Sequence, residues 1–464
     1  MSKPSLHSVF MFALLAGSIM TRNGAPAATV THTLLAVART FGRPNASATV
    51  TMDQLTMSEI SPDEDRSISI SHAVGTAGFN LSAIRAVEST TKDVIRGDIS
   101  LATGTQRLEE IEYTPLGHHA VIRLLGWALM SAGFAMLLGA GWVSMLLAAI
   151  IAFVMEGISG YLSEQEMPIF FIHVATGALT TGAALLIVEF TAEASPAVVI
   201  TAALVAKLAG GAALGAAQDV LTGWYLTATA RILDAALVTA GLVVGVIGAL
   251  SFAARYGLSL DLTEEPEQER ALLIVAVSAI LIASGFALGS HAPWSRVPVI
   301  AGLAVGAATL SEALTRVGLS TVTSLVIAAA ALGAVAVLGT RWIQLTPTGA
   351  LGVALAPLLP GMQIYLGFVD LSNDKPALPR FGLALLLAMA LGSGIVLGQY
   401  IASQILWNGM KARNFGEQYL HGEITTDARH LTAEWLSTPL FRRPFLVEEF
   451  QPQAKGMTDD RKKV

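Results

Sequence analysis

The chain has 464 residues, 53% of them hydrophobic and 13% charged, and a mean hydropathy of +0.61, which excludes an ordinary water-soluble globule and makes a bilayer its main solvent. The net charge of −6 is spread over the ends and loops, with no basic stripe of the kind that binds nucleic acid. Cys is absent, so disulfides, thiolate metal sites and cysteine nucleophiles are removed together.

Residues 1–118 are more polar than the chain beyond them and are read as a small soluble α/β domain. Helices are expected over 6–21 and 28–41, strands over Ala48–Met52 and Ser67–Ser71, and further helices over 81–96 and 100–112. The first helix has a second description: Lys3, the apolar Val9–Ile19 and Ala25-Pro26-Ala27 resemble a signal peptide. The apolar stretch is short and Arg22 interrupts its approach to the cleavage-like site, which favours an amphipathic helix of the domain.

From His119 onward come ten apolar segments, at 120–139, 142–157, 168–188, 196–216, 230–252, 271–290, 297–314, 319–340, 346–367 and 380–405. A span of about 30 Å needs about 20 helical residues, fewer where the segment is broken or covered by protein. An even count puts both termini on one side. The tail carries Lys411, Arg413, Arg442 and Arg443, while the 253–270 loop is acidic at Asp261, Glu264, Glu265, Glu267 and Glu269, so both termini are expected in the cytoplasm. The division expected is 1–118, then membrane repeats 119–260 and 261–410, then a cytoplasmic tail 411–464.

The two repeats rest on a pair of echoes. Gly133-Phe134-Ala135 followed by Trp142 recurs 152 residues later as Gly285-Phe286-Ala287 followed by Trp294. Gly210 precedes Asp219 by nine residues, as Gly361 precedes Asp370 by nine, at an offset of 151. Five spans per unit make the second copy enter from the opposite face, which predicts two inverted five-span repeats about an axis in the membrane plane and, with them, alternating access.

The fourth and ninth segments carry the polar chemistry. After Gly210-Gly211 come Gln218, Asp219, Thr222, Gly223, Thr227, Thr229, Arg231 and Asp234 without a loop-like run; after Pro357 and Leu359-Pro360-Gly361 come Gln363, Tyr365 and Asp370. Polar groups at membrane depth are tolerated only against protein or a water-filled cavity, so broken or re-entrant helices are predicted at both places. A zwitterionic amino acid needs an N–H-rich end for its carboxylate and an acceptor for its ammonium. Half-helices starting at Gly210-Gly211 and Pro360-Gly361 offer the first, and Asp219 or Asp370 offers the second or a proton site. Thr222, Thr227 and Thr229 are candidates for a substrate hydroxyl. Each has a plainer role open to it: Asp219 and Asp370 at aqueous helix ends, Arg231 neutralised by Asp234 three residues on, threonines bonded to the carbonyl a turn back, Lys207 snorkelling, and Glu312–Arg316 as a rim pair. Walker-type, His-Glu-x-x-His and Gly-x-Ser-x-Gly motifs are absent, and His118-His119 is a linker feature before it is a metal site.

Three stretches resemble the threonine/serine exporter family, in its single-chain form with an amino-terminal domain fused to ten spans. They are Leu124-Leu125-Gly126-Trp127-Ala128 through Gly141-Trp142, Gln218-Asp219-x-x-Thr222-Gly223-x-x-x-Thr227-Ala228-Thr229-Ala230-Arg231, and Leu359-Pro360-Gly361-x-x-x-Tyr365. The resemblance covers 110–405 well and the amino-terminal domain more loosely. It implies export of threonine and serine across the inner membrane of a bacterium, driven by the proton motive force. The substrate and proton residues would be Asp219, Thr222, Thr229, Arg231, Gly210, Gly211, Pro360, Gly361, Tyr365 and Asp370. Relatives often carry Pro-Gly in the fourth span where this chain has Gly210-Gly211. The expected partners are small hydroxylated amino acids, protons and lipid, with no cofactor, no metal, no nucleic acid and no enzymatic activity; a homo-oligomer is compatible with all of this. Two other readings stay open: a membrane-anchored enzyme or sensor whose amino-terminal domain is the active module, and an uncoupled small-solute channel.

Overall fold

The structure, a computed structural model, describes residues 4–61, 66–75, 78–114, 116–188, 195–205, 210–256, 271–339, 347–372 and 375–420. The chain divides into compact units at Met1–Ala402 and Ser403–Val464, the second described only over helical residues 403–420.

The amino-terminal module is built around α1 (Leu6–Arg22), whose Phe10, Phe12, Leu14, Ile19 and Met20 are wholly buried. Ser5 caps it, accepting from the Ser8 N–H at 3.1 Å. α2 (Ala27–Thr40) turns Val30, Leu34, Val37 and Ala38 inward at helical spacing. A Cβ on Gly17 would stand 2.9 Å from the side chains of Leu34 and Leu55, so a glycine lets α1 lie against α2 and the sheet. That sheet is an antiparallel meander of β1 (Ser47–Val50), β2 (Gln54–Ser61) and β3 (Arg66–Ala73), in the order β1-β2-β3. Its solvent face pairs hydroxyls, Thr56 with Ser71 at 2.8 Å and Ser58 with Ser69 at 3.0 Å, while Leu55 and Met57 fill the core. α3 (Leu81–Arg96), capped by Asn80 and stopped by Gly97 at φ 79°, and α4 (Leu101–Tyr113), capped by Ser100, close the module. The helices and strands follow one another in the order expected, with the strands running together as hairpins and the helices packed on them. The expectation missed β2, whose alternation at Leu55 and Met57 is broken by Glu59 and Ile60.

Eight helices are long and apolar enough to cross a membrane, among the described residues. They are α5 (Ala120–Leu137), α6 (Trp142–Glu164), α7 (Ile169–Val188), α10 (Tyr225–Arg255), α11 (Leu272–Gly289), α12 (Val297–Arg316), α13 (Thr321–Leu338) and α16 (Leu378–Leu420). Between α7 and α10 lie two short helices, α8 (Pro196–Val205) and α9 (Gly210–Leu221). Between α13 and α16 lie α14 (Pro347–Ala354), a 3-10 turn at Ala356–Leu358, and α15 (Gly361–Ser372). The second segment, expected to be short, is a 23-residue helix, because the polar Ser159 to Glu164 continue it beyond the apolar stretch.

Glycines set how these helices pack, since lipid supplies no hydrophobic drive for association and close backbone approach must do so. α5 and α11 cross in opposite senses: Gly126 meets Gly289 and Gly285, Met130 meets Gly285, and Gly133 meets Ile282, so numbers rise along one helix as they fall along the other. α10 lies on α7 in the same sense, Gly241 at Phe170 and Gly245 at Val174. α16 lies on α13 in the same way, Gly394 at Val326 and Gly398 at Ala330.

The module is seated on the membrane helices at the end of α11. Leu81 donates its N–H to Ser290 O at 3.0 Å, Ser82 Oγ donates to His291 O at 2.6 Å, and Phe79 stacks on Phe286 with centroids 5.7 Å apart. His291, in the left-handed region at φ 58°, accepts the His118 N–H on Nδ1 at 3.0 Å, which fixes that nitrogen as unprotonated. Burial, with Arg123 and His118 nearby, holds its pKa below the usual 6.5.

Candidate functional site

Of the two segments expected to be broken, the structure describes the break in the second, and that break meets α8; residues 206–209 of the first lie outside the described residues. In the second of them Pro360 lacks an N–H, Leu359 is extended at φ −65° and ψ 140°, and α15 begins afresh at Gly361. A Cβ at Gly361 would lie 2.8 Å from the side chain of Val205, the last residue of α8. Across the same junction α9 packs on α14. The half-helices therefore cross-pair, the first of each segment against the second of the other. Gln363, in the first turn of α15, has a buried Oε1 with no hydrogen-bond partner among the described residues. Gly210 and Gly211 open α9; residues 206–209, including Lys207, lie outside the described residues, as does the side chain of Tyr365 on α15.

The corner from α9 to α10 ends in a Schellman arrangement: Trp224 N–H reaches Asp219 O at 2.8 Å, Gly223 N–H reaches Val220 O at 3.1 Å, and Gly223 takes φ 88°. This aims the Asp219 carboxylate at the amino-terminal module. Asp219 is 0% exposed and its Oδ2 lies 3.0 Å from Arg231 Nε. The two atoms are close as charges but not aligned as a hydrogen bond. Asp219 Oδ1 accepts the N–H of Ala27 at 3.1 Å, and Arg231 Nη2 donates to Ala25 O at 2.7 Å. Pro26 gives α2 no side-chain cap, so a carboxylate from the membrane helices caps it, where a helix N-terminus favours an anion. Gly215 makes room for the guanidinium: a Cβ there would be 2.7 Å from Arg231 Nη1. Thr227 Oγ1 donates to Val50 O at 3.0 Å, completing a buried seam between module and corner.

The neutralisation of Arg231 by Asp234 is corrected, because the α9–α10 turn brings the more distant Asp219 to it instead. Thr222 Oγ1 donates to Gln218 O at 2.8 Å and Thr229 Oγ1 to Tyr225 O at 2.8 Å, each back along its own helix. Asp370 forms an ion pair with Arg380 at 3.4 Å, with side chains 23% and 34% exposed. Glu312 and Arg316 pair at 3.0 Å at a partly exposed rim, as their spacing suggests. Sequence reading missed the parts of Ala25, Ala27 and Arg380; backbone groups carry no sequence signal, and Arg380 stands out only once Asp370 has a position. Among the described residues no three His, Asp or Glu gather as a metal site.

A family model described as "Putative threonine/serine exporter" matches residues 11–253 and 259–402. The chain belongs to the threonine/serine exporter family. It is 30% identical over 416 residues to the "Threonine/serine exporter" of Corynebacterium glutamicum, covering 86% of this chain and 83% of that one. It is 27% identical over 398 residues to the "Probable threonine/serine exporter" of Mycobacterium tuberculosis, covering 83% of this chain and 75% of that one. No solved structure matches it. Family and helices together make it a multi-pass membrane protein of an amino-acid exporter family.

Proposed function

We propose that the chain is a secondary exporter of threonine, serine and similar small amino acids, driven by the proton motive force across a bacterial inner membrane, with both termini in the cytoplasm. The observation that supports this is the approach of the fourth and ninth apolar segments to each other, Val205 of α8 against Gly361 at the Pro360 break. The N-terminal ends of α9 and α15 suit a carboxylate once the local bonds of Gly361 N–H to Leu359 O and Gln363 N–H to Pro360 O are exchanged for it, and the carbonyls around Pro360 suit an ammonium. In this reading Gly210, Gly211, Pro360 and Gly361 supply the backbone ends, Tyr365, Thr222 and Thr229 are further side chains for the substrate, and Asp219, ion-paired with Arg231, carries the coupling proton.

Ten crossings and an inverted repeat belong to this reading. Element starts recur at nearly one offset: Ala120 and Leu272 are 152 apart, Ile169 and Thr321 152, Pro196 and Pro347 151, Gly210 and Gly361 151, and Tyr225 and Leu378 153. Because α7 and α10 run the same way, the chain between them must return across the bilayer, which makes α8 with α9 one broken crossing; α13 and α16 ask the same of α14 with α15. The α5–α11 contact is its own mirror under the repeat: Gly133 on Ile282 maps onto Gly285 on Met130 at an offset of 152. Two helices related in this way and antiparallel are related by a two-fold axis perpendicular to both, which lies in the membrane plane.

The test is uptake of labelled threonine into inverted vesicles bearing the full chain. Accumulation above the outside concentration when the lumen is acid, lost on adding a protonophore, is expected. Flux that only equilibrates, whatever the gradient, would make the protein a channel, and absence of flux beside an activity of the amino-terminal module would make the spans an anchor.

A further inference from the structure

The Asp219–Arg231 pair has a counterpart. Asp219 is near the end of α9 and Arg231 lies early in α10; Asp370 is near the end of α15 and Arg380 early in α16. Asp219 and Asp370 are 151 residues apart, matching the offset of Gly210 and Gly361. In each half the pair therefore ties the second half-helix of the broken crossing to the start of the crossing that follows it.

The two pairs lie on opposite faces. The first touches Ala25 and Ala27, so it is on the face of the amino-terminal module. The end of α11 is on that face as well, since Leu81 and Ser82 bond to Ser290 and His291. α12 runs away from it, α13 returns after a short turn, and α16 runs in the sense of α13, so α16 begins on the far face, where Arg380 is. Their surroundings differ accordingly. The first pair is sealed beneath the module, at 0% and 8% side-chain exposure, whereas the second is open at 23% and 34%.

We infer that Asp219–Arg231 and Asp370–Arg380 are repeat-related gate latches, one for each face of the pathway that converges on the junction of α8, α9, α14 and α15, and that the Ala25-Pro26-Ala27 turn of the module is a second bolt on the inner latch alone. The inference rests on the exporter reading and deepens it. Each latch holds a half-helix against the next crossing; releasing it frees that half-helix to swing and opens the junction to one side only. Arg231 and Arg380 are positioning residues here, acting through the half-helices and not on the substrate. The module makes inner opening the harder of the two, because the Ala27 N–H and Ala25 carbonyl must also be released.

The native chain has no Cys, so the gates can be read without transport by placing a single reporter at the junction as Gln363→Cys in the full chain. An impermeant maleimide is applied to right-side-out and to inverted vesicles. Asp370→Asn or Arg380→Gln should raise labelling from the right-side-out face at least tenfold and leave the inverted face unchanged. The joint exchange Asp370→Arg with Arg380→Asp should return it to the parental rate, which a merely structural role would not do. Asp219→Asn, which keeps an acceptor for Ala27, should raise labelling only from the inverted face. Increases from the same face for both latches, or no change on breaking the half-exposed outer latch, would overturn the inference. Threonine flux through the unmodified chain is measured in parallel, so loss of the exporter reading and loss of the gate inference give different results.

Discussion

Asp219 concentrates several duties in one side chain. Its carboxylate is buried, faces Arg231 at 3.0 Å and caps α2 through the Ala27 N–H. Taking away one charge of a buried pair leaves the other uncompensated, at a cost of about 3–5 kcal/mol for full removal. Asn keeps the shape and the acceptor for Ala27 and removes the charge, so Asp219→Asn is expected to insert and fold while losing proton-coupled threonine flux; unchanged pH-dependent flux would take Asp219 out of the mechanism. A second carboxylate, Glu88 in α3, is buried in the module. Burial raises its pKa from 4.5 to about 7 against the opposing pull of Lys92. A carboxyl that is harder to ionise when folded stabilises fully below its unfolded pKa and loses that contribution as pH rises from 4.5 through about 7. The module should therefore weaken by about 3 kcal/mol over that interval. Hydrogen exchange of α3 amides, corrected for intrinsic rates, should show less protection at pH 8 than at pH 5, and Glu88→Gln should level the two; an identical profile in the variant would assign the dependence elsewhere.

At the scale of elements, the interruptions matter more than the helices they interrupt. Gly361 lies where Val205 leaves no space for a Cβ, and the extended Leu359 with Pro360 stops α14 from running into α15. Gly361→Leu drives a side chain into α8 and favours helix where the break is wanted, and Gly210→Leu does the latter at the matching place. Both variants are expected to reach the membrane yet lose threonine export by more than tenfold. Normal export by both would end the broken-helix account. The packing glycines offer a contrast within one experiment. Gly398 meets the Ala330 backbone between two uninterrupted helices, so Gly398→Leu should lower yield and thermal stability of the solubilised protein through separation of α13 and α16.

For the whole molecule the decisive quantity is the side on which each corner emerges. With the module in the cytoplasm, Leu226 at the start of α10 belongs inside, and Glu265 and Lys375 belong outside. Lys375 and Arg380 are basic residues on the face where charge counting expects few, and the Arg380–Asp370 ion pair does not alter that count, in which acidic residues weigh little. Single cysteines at Leu226, Glu265 and Lys375 should report this directly. Glu265→Cys and Lys375→Cys are expected to react with impermeant maleimide in intact cells, and Leu226→Cys only after permeabilisation. Labelling of positions 226 and 375 from one side would exclude two inverted five-span halves.

The membrane setting and the interruption at Pro360 were legible in the sequence because both are local. Hydropathy over a 20-residue window reflects burial in lipid, and Leu359-Pro360-Gly361 acts on the backbone where it stands. The order of helices in the amino-terminal module was legible for the same reason, through local sequence pattern, whereas β2 was hidden by its polar residues. Which groups meet was decided only in three dimensions. Arg231 lies three residues from Asp234 and twelve from Asp219, yet it pairs with Asp219, because the Gly223 turn folds α9 back on α10. The capping of α2 by that same Asp219, 192 residues away, joins a backbone N–H to a carboxylate, and a backbone donor leaves no trace in residue type.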